Sequence, residues 1–117
     1  MNFTLTEKFT HDEKRIICTA FYIWQNSDHS GLSRDVKRDV NQGISSAHKK
    51  VMSDTLTFSY VEYSAIEYPL ILLYDWCLHP NGEYNADDLA QNLDMYLSLI
   101  RSVARKICCD FDFDSIH

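Results

Sequence analysis

Asp75, Cys77 and His79 are the three side chains whose types and spacing come nearest to a reactive site. On a helix, Asp75 and His79 would share one face, because they are four residues apart. Carboxylate, thiolate and imidazole groups all bind zinc, but a stable zinc site needs three or four convergent ligands. No second pair with ligand spacing accompanies these residues. We therefore predict no metal and no cofactor, and keep a small enzyme or metal-binding protein built on these three residues as an alternative hypothesis.

Other catalytic patterns are missing from the sequence. No nucleophile elbow surrounds any serine, and Cys18 falls on an apolar helical pattern, where a thiol is unreactive. The glycines at positions 31, 43 and 82 are isolated, so they cannot form a phosphate-binding loop. We predict no catalytic residue and expect that the chain is not an enzyme.

Charge is distributed unevenly along the chain. Residues 1–53 carry eight Lys and Arg against six Asp and Glu, whereas residues 54–117 carry three against eleven. No Lys or Arg occurs from Asp54 to Ile100, a window that holds eight acids and six of the seven tyrosines. Tyrosine provides contact area at low entropic cost, and clustered carboxylates attract a basic partner. This window therefore predicts a protein-binding surface, although an acidic surface kept for solubility is the alternative.

The residues predicted to contact that partner combine tyrosines with neighbouring acids. They are Tyr60, Glu62, Tyr63, Glu67, Glu83, Tyr84 and Asp87. A basic partner could be a toxin or another enzyme that acts on nucleic acid, since such active sites are lined with cations that bind phosphate. The leading hypothesis is thus a small inhibitory protein, such as an immunity protein or antitoxin that neutralises a nuclease. A self-associating regulator or adaptor, using apolar faces around Trp24 and Trp76, is a further alternative.

Direct contact with nucleic acid or membrane is not predicted. The basic residues between Arg34 and Lys50 are interrupted by Asp35 and Asp39, and the net charge of −6 opposes binding to phosphates. The most apolar stretch, Pro69 to Leu78, is about half as long as a membrane-spanning helix. The N-terminus does not resemble a secretory signal, so we expect a cytoplasmic protein with reduced cysteines.

The elements that would position these residues are mainly helical. Thr10 and Glu13 have the spacing of a capping box and predict a first helix over about Asp12 to Gln25. An apolar stripe from Leu32 to Val51 predicts a second helix, in which Gly43 would permit close packing. A third stripe predicts the last helix, from about Ala86 to Cys108.

Residues 55–79 are ambiguous between helix and strand. We favour two helices separated by a break at Pro69, with Leu70 to Leu78 as a buried central helix. The expected fold is one domain over residues 1–117, an all-α compact bundle of four or five helices. The alternative is an α+β fold with a small sheet from residues 3–9, 56–63 and the C-terminal tail. Residues 110–117 would be an acidic, aromatic and flexible tail, and no internal repeat is apparent.

Overall fold

The computed structural model describes residues 2–26, 33–78 and 92–107, and there it shows four helices and a two-stranded sheet. In chain order the elements are β1 (Asn2–Thr4), α1 (His11–Gln25), α2 (Arg34–Met52), β2 (Thr57–Ser59), α3 (Tyr60–Leu78) and α4 (Leu93–Lys106). The predicted helical bundle is confirmed. It is accompanied by a shorter form of the sheet in the α+β alternative, because β1 pairs antiparallel with β2. The tail at 110–117 lies outside the described residues.

The capping box at the start of α1 is confirmed. The N–H of Glu13 donates to the Thr10 hydroxyl oxygen at 3.1 Å, and the N–H of Thr10 donates to Glu13 Oε1 at 2.7 Å. These two bonds satisfy backbone N–H groups at the start of the helix, where no preceding turn supplies a carbonyl oxygen to accept them. α1 then buries one stripe of side chains, which includes Ile17 and Trp24.

α2 packs closely against α3 at Gly43. A Cβ atom at this position would lie 2.5 Å from the carbonyl oxygen of Val61, closer than such atoms can approach. On either side of the glycine, Val40 and Ala47 are fully buried. The close packing expected at Gly43 is therefore present, and it brings the backbones of α2 and α3 together.

α3 is one continuous helix, so the prediction of a break at Pro69 is wrong. A proline inside a helix loses a hydrogen bond and costs about 3 kcal/mol. Here Pro69 is buried, and its neighbours Leu70 and Leu73 are fully removed from solvent. Because burying one such side chain contributes about 1.5–3 kcal/mol, tertiary packing can offset the cost of the proline. As predicted for Leu70 to Leu78, α3 is the central helix, and it contacts α1, α2 and α4.

α4 confirms the final amphipathic helix over residues 93–106, while positions 86–91 and 108 lie outside the described residues. Its buried face consists of Leu97, Ile100, Val103 and Ala104. Across the three described ranges, no helix is long and apolar enough to span a membrane.

Candidate protein-binding surface

Four of the seven predicted contact residues lie in the first turns of α3. They are Tyr60, Glu62, Tyr63 and Glu67. The other three, Glu83, Tyr84 and Asp87, lie outside the described residues. The first turns of α3 are therefore the part of the predicted surface that has a defined geometry.

Tyr60, Tyr63 and Glu67 form what we call the α3 patch. Tyr60 is 63% exposed, the largest value among the large hydrophobic side chains of the described residues. The Tyr63 hydroxyl donates to Glu67 Oε2 at 2.8 Å, and the Tyr63 ring lies 5.1 Å from that of Phe3 in β1. These contacts hold the half-buried Tyr63 and Glu67 in place, so the patch presents the exposed phenol of Tyr60 and, two turns farther along the same face, an oriented carboxylate.

Glu62 is not on the surface as expected, because it is only 5% exposed. The N–H of Glu62 donates to the Ser59 hydroxyl at 3.2 Å, and Glu62 Oε1 accepts from the Ser59 N–H at 2.8 Å. Lys50 Nζ donates to the same Oε1 at 2.7 Å, and the Ser46 hydroxyl donates to Oε2. This carboxylate caps α3 and binds α2, so it is not available as a contact for a partner.

The pKa of Glu62 reflects these competing effects. Burial by itself would raise the pKa, but the hydrogen bonds from Lys50, Ser46 and the Ser59 N–H, together with the charge of Lys50, lower it to about 2. Glu62 is therefore ionised at neutral pH, and Lys50 neutralises its charge. The negative potential of the α3 patch must come from Glu67 instead.

A second buried glutamate, Glu13, has the same set of contacts in α1. Lys106 Nζ donates to Glu13 Oε1 at 2.6 Å, and the Ser102 hydroxyl donates to Oε2. Burial would raise its pKa, but the bonds from Lys106, Ser102 and the Thr10 N–H, with the charge of Lys106, lower it overall. Each lysine also donates to the carbonyl two residues before the helix cap, at 2.8 Å for Lys106 and 3.0 Å for Lys50.

These matching contacts reveal a short internal repeat that the sequence analysis missed. The first motif, Phe-Thr/Ser-x-x-Glu, occurs at residues 9–13 and 58–62, with both phenylalanines buried. The second, Ile-x-Ser-x-x-x-Lys-Val/Ile, occurs at residues 44–51 and 100–107. The pairing is reciprocal, because the glutamate of each half binds the serine and lysine of the other half. A search for separated pairs of motifs, rather than for a single period, could have found it.

The acidic part of the sequence gives a negative surface only where its carboxylates have no cation nearby in the fold. Of the acids in the lysine- and arginine-free window that are described, Asp54 pairs with Lys14 at 2.7 Å and Glu62 with Lys50. Three others make no ion pair with another described residue: Glu67, Asp75 and Asp94. Within the described ranges, the surface is thus less acidic than the composition suggests, but it keeps uncompensated charge on α3 and α4.

The basic face of α2 is partly neutralised within its own helix. Arg38 lies 3.5 Å from a carboxylate oxygen of Asp35 and 3.8 Å from one of Asp39. Lys50 turns inward to Glu62. The interruption of this face by acids, which was noted in the sequence, therefore also exists in space.

Asp75 and Cys77 do not come together as ligands. Asp75 is exposed, whereas Cys77 is buried, because residues two apart on a helix point in nearly opposite directions. Burial raises the pKa of the Cys77 thiol to about 11, so it stays protonated at neutral pH. His79 lies outside the described residues, and within the described ones no group of three His, Cys, Asp or Glu could hold a metal ion.

The tryptophans expected at a self-association face belong to the core instead. Trp24 and Trp76 are 1% and 8% exposed. The indole N–H of Trp24 donates to Asn41 Oδ1 at 3.0 Å, which joins α1 to α2. Because the chain itself covers both rings, they cannot provide an apolar surface for a second copy.

Comparison with protein-family models, with curated proteins and with solved structures finds no match for this chain. Its function is therefore inferred from its own residues. Of the surfaces predicted from the sequence, the α3 patch is the one where an exposed tyrosine and a carboxylate without an ion pair to another described residue lie two turns apart on one face of a helix.

Proposed function

We propose that this chain is a small protein-binding domain that uses the α3 patch to engage and mask a basic surface of a partner. The observation that carries this proposal is the exposed phenol of Tyr60 on the same face of α3 as Glu67, two turns farther along, a half-buried carboxylate with no ion pair among the described residues. Tyrosines at the centre of an interface often dominate its binding energy, while carboxylates increase the rate of encounter with a basic protein. Glu83, Tyr84 and Asp87 are proposed as further contacts for the same partner.

The partner proposed is a basic toxin or another enzyme that acts on nucleic acid. Its active site would present Lys, Arg or His to phosphate groups, and an acidic surface competes for those cations. On this proposal the chain acts as an immunity protein or antitoxin in the cytoplasm. Tyr63 and Glu67 are already held in place before a partner binds. Binding therefore costs less side-chain entropy, which favours a tight inhibitory complex.

Capture of partners with the full chain, followed by affinity measurements on the purified partner, would test the proposal. We expect a basic partner whose affinity falls about 30-fold with Tyr60→Ala, the loss typical of a central tyrosine. Glu67→Lys should slow association and reduce the dependence of affinity on salt. Surface plasmon resonance at two salt concentrations measures both effects.

Asp75→Lys is the matched control, because it reverses an exposed charge on the same helix but about two turns farther along. It should change the affinity much less than Glu67→Lys does. An acidic partner would contradict the proposal. So would an affinity that neither Tyr60→Ala nor Glu67→Lys alters, provided that thermal unfolding shows both variants to be folded.

A further inference from the structure

A groove runs between α1 and α2 on a face that the α3 patch does not use. It consists of two adjoining cavities of about 320 and 300 Å³, which share Cys18 in their walls. None of the described residues that line it is acidic, although 17 of the 117 residues of the chain are Asp or Glu. The groove thus differs in charge from the chain as a whole.

The groove has an apolar floor and exposed apolar walls. Phe21 and Ile44 form part of the floor and are nearly buried. Tyr22 on α1 and Met52 on α2 stand at the walls, and each is 54% exposed. These are two of the four large hydrophobic side chains exposed within the described ranges, so apolar surface is concentrated here.

Basic side chains line the end of the groove near the start of α1. His11 and Arg15 are exposed there, and Arg15 makes no ion pair with another described residue. Lys14 lines the same end but is paired with Asp54. His48, whose ring contacts Phe21 edge-on at 6.0 Å, lies on the opposite wall. The charge of Arg15 is therefore available to an acidic ligand.

The internal repeat relates this groove to the α3 patch. When Glu13 is aligned with Glu62, the patch residues Tyr60, Tyr63 and Glu67 fall on His11, Lys14 and Cys18, which all line the groove. Where the patch has the carboxylate of Glu67, the groove therefore has the neutral Cys18, and its aligned cation, Lys14, is paired with Asp54. Arg15, next to Lys14, makes no ion pair with another described residue, so a ligand of the groove should carry the opposite charge to the partner proposed for the patch.

We propose that the groove between α1 and α2 binds an acidic peptide segment with an aromatic side chain, supplied by a protein other than the basic partner. The aromatic side chain packs against Met52, and its flanking carboxylates face His11 and Arg15, which line the same cavity. The proposal stands whether or not the α3 patch binds a basic partner.

The test uses the full chain and a fluorescein-labelled peptide that carries Asp-Phe-Asp-Phe-Asp between short Gly-Ser flanks. Fluorescence polarisation at low salt should show saturable binding, and peptides with Lys for Asp or Ser for Phe should not bind. Arg15→Glu should weaken binding about tenfold, whereas Arg105→Glu, the same change at an exposed site on α4, should not. Met52→Ser should weaken it, while Met95→Ser, at a similarly exposed methionine, should leave it unchanged.

Several outcomes would overturn the proposal. These are the absence of saturable binding, or equal weakening by Arg15→Glu and Arg105→Glu, which would mean unspecific attraction. If the double variant Phe111→Ser/Phe113→Ser bound the peptide more tightly, the chain's own acidic segment would be the competing ligand, and the groove would be assigned to that segment. A dimer seen by light scattering and lost with Arg15→Glu would assign it to a second copy. Tyr60→Ala and Glu67→Lys should leave peptide affinity unchanged, which separates this test from that of the patch.

Discussion

Lys50 and Glu62 form an ion pair in which the carboxylate is buried and the lysine side chain is one third exposed. Removing one partner of a buried pair leaves an uncompensated charge, which typically costs 3–5 kcal/mol. Because the Ser46 hydroxyl and the Ser59 N–H would still bind Glu62, we expect Lys50→Met to lower the free energy of unfolding by about 3 kcal/mol. Urea unfolding followed by circular dichroism measures this change.

Lys49→Met provides the control for that substitution. Lys49 is the exposed neighbour of Lys50 on α2, so its replacement should change stability by less than about 0.5 kcal/mol. Adding Glu62→Leu to Lys50→Met should recover part of the loss, because no buried charge then remains. Equal effects of Lys50→Met and Lys49→Met would show that the pair does not stabilise the fold.

Cys77 offers a second test at the scale of a single side chain. Burial raises its pKa to about 11, so little of the reactive thiolate exists at pH 8. We expect iodoacetamide to leave Cys77 unmodified in the native protein and to modify it in urea. Peptide mass spectrometry would show the difference, and rapid native labelling of Cys77 would contradict its buried position.

Among the elements, the contact between α2 and α3 depends on the absence of a side chain at Gly43. Alanine would favour the helix by about 1 kcal/mol, but its Cβ would lie 2.5 Å from a backbone oxygen of Val61. No side-chain rotation can relieve a clash with backbone, and overpacking typically costs about 1–3 kcal/mol, which equals or exceeds that advantage. We therefore expect Gly43→Ala to lower the melting temperature.

Gln42→Ala is the matched substitution for Gly43→Ala, since it introduces alanine at the exposed neighbouring position. It should leave the melting temperature unchanged or slightly higher. If Gly43→Ala instead raised the melting temperature, α2 and α3 could separate without loss, and their close approach would not be needed for stability.

At the scale of the whole molecule, two equivalent clusters join the halves of the chain. Both glutamates have a pKa lowered in the folded protein, Glu62 to about 2, whereas the ordinary value is 4.5. The folded state therefore binds fewer protons than the unfolded state as the pH falls below about 5. The stabilisation from these carboxylates is complete above that pH and is lost progressively as the pH approaches 2.

We therefore expect the free energy of unfolding to fall between pH 6 and pH 3. Urea unfolding across this range would show it, and the variant with both Lys50→Met and Glu62→Leu should show a shallower decrease because one titrating cluster is gone. The other acids of the chain, whose net charge is −6, are present in both the original protein and the double variant. Their protonation therefore contributes equally to the pH dependence of the two unfolding free energies. Identical pH profiles would mean that the Glu62 cluster is not linked to folding.

The sequence by itself determined the features that depend on neighbours a few residues apart. Apolar spacing predicted α1, α2 and α4, and the Thr10–Glu13 spacing predicted the cap of α1, because helical contacts join residues three or four positions apart. It also predicted the exposed Tyr60, and the stretch without lysine or arginine is a property of composition alone.

Only the tertiary structure decided the features that join distant parts of the chain. Lys106 and Glu13 are 93 positions apart, and no local pattern could show that they bind each other. The same holds for the removal of Glu62 from the surface by Lys50 and for the unbroken helix through Pro69. In each case, burial changes the energy of a charged group or a missing hydrogen bond, and burial depends on which helices pack together.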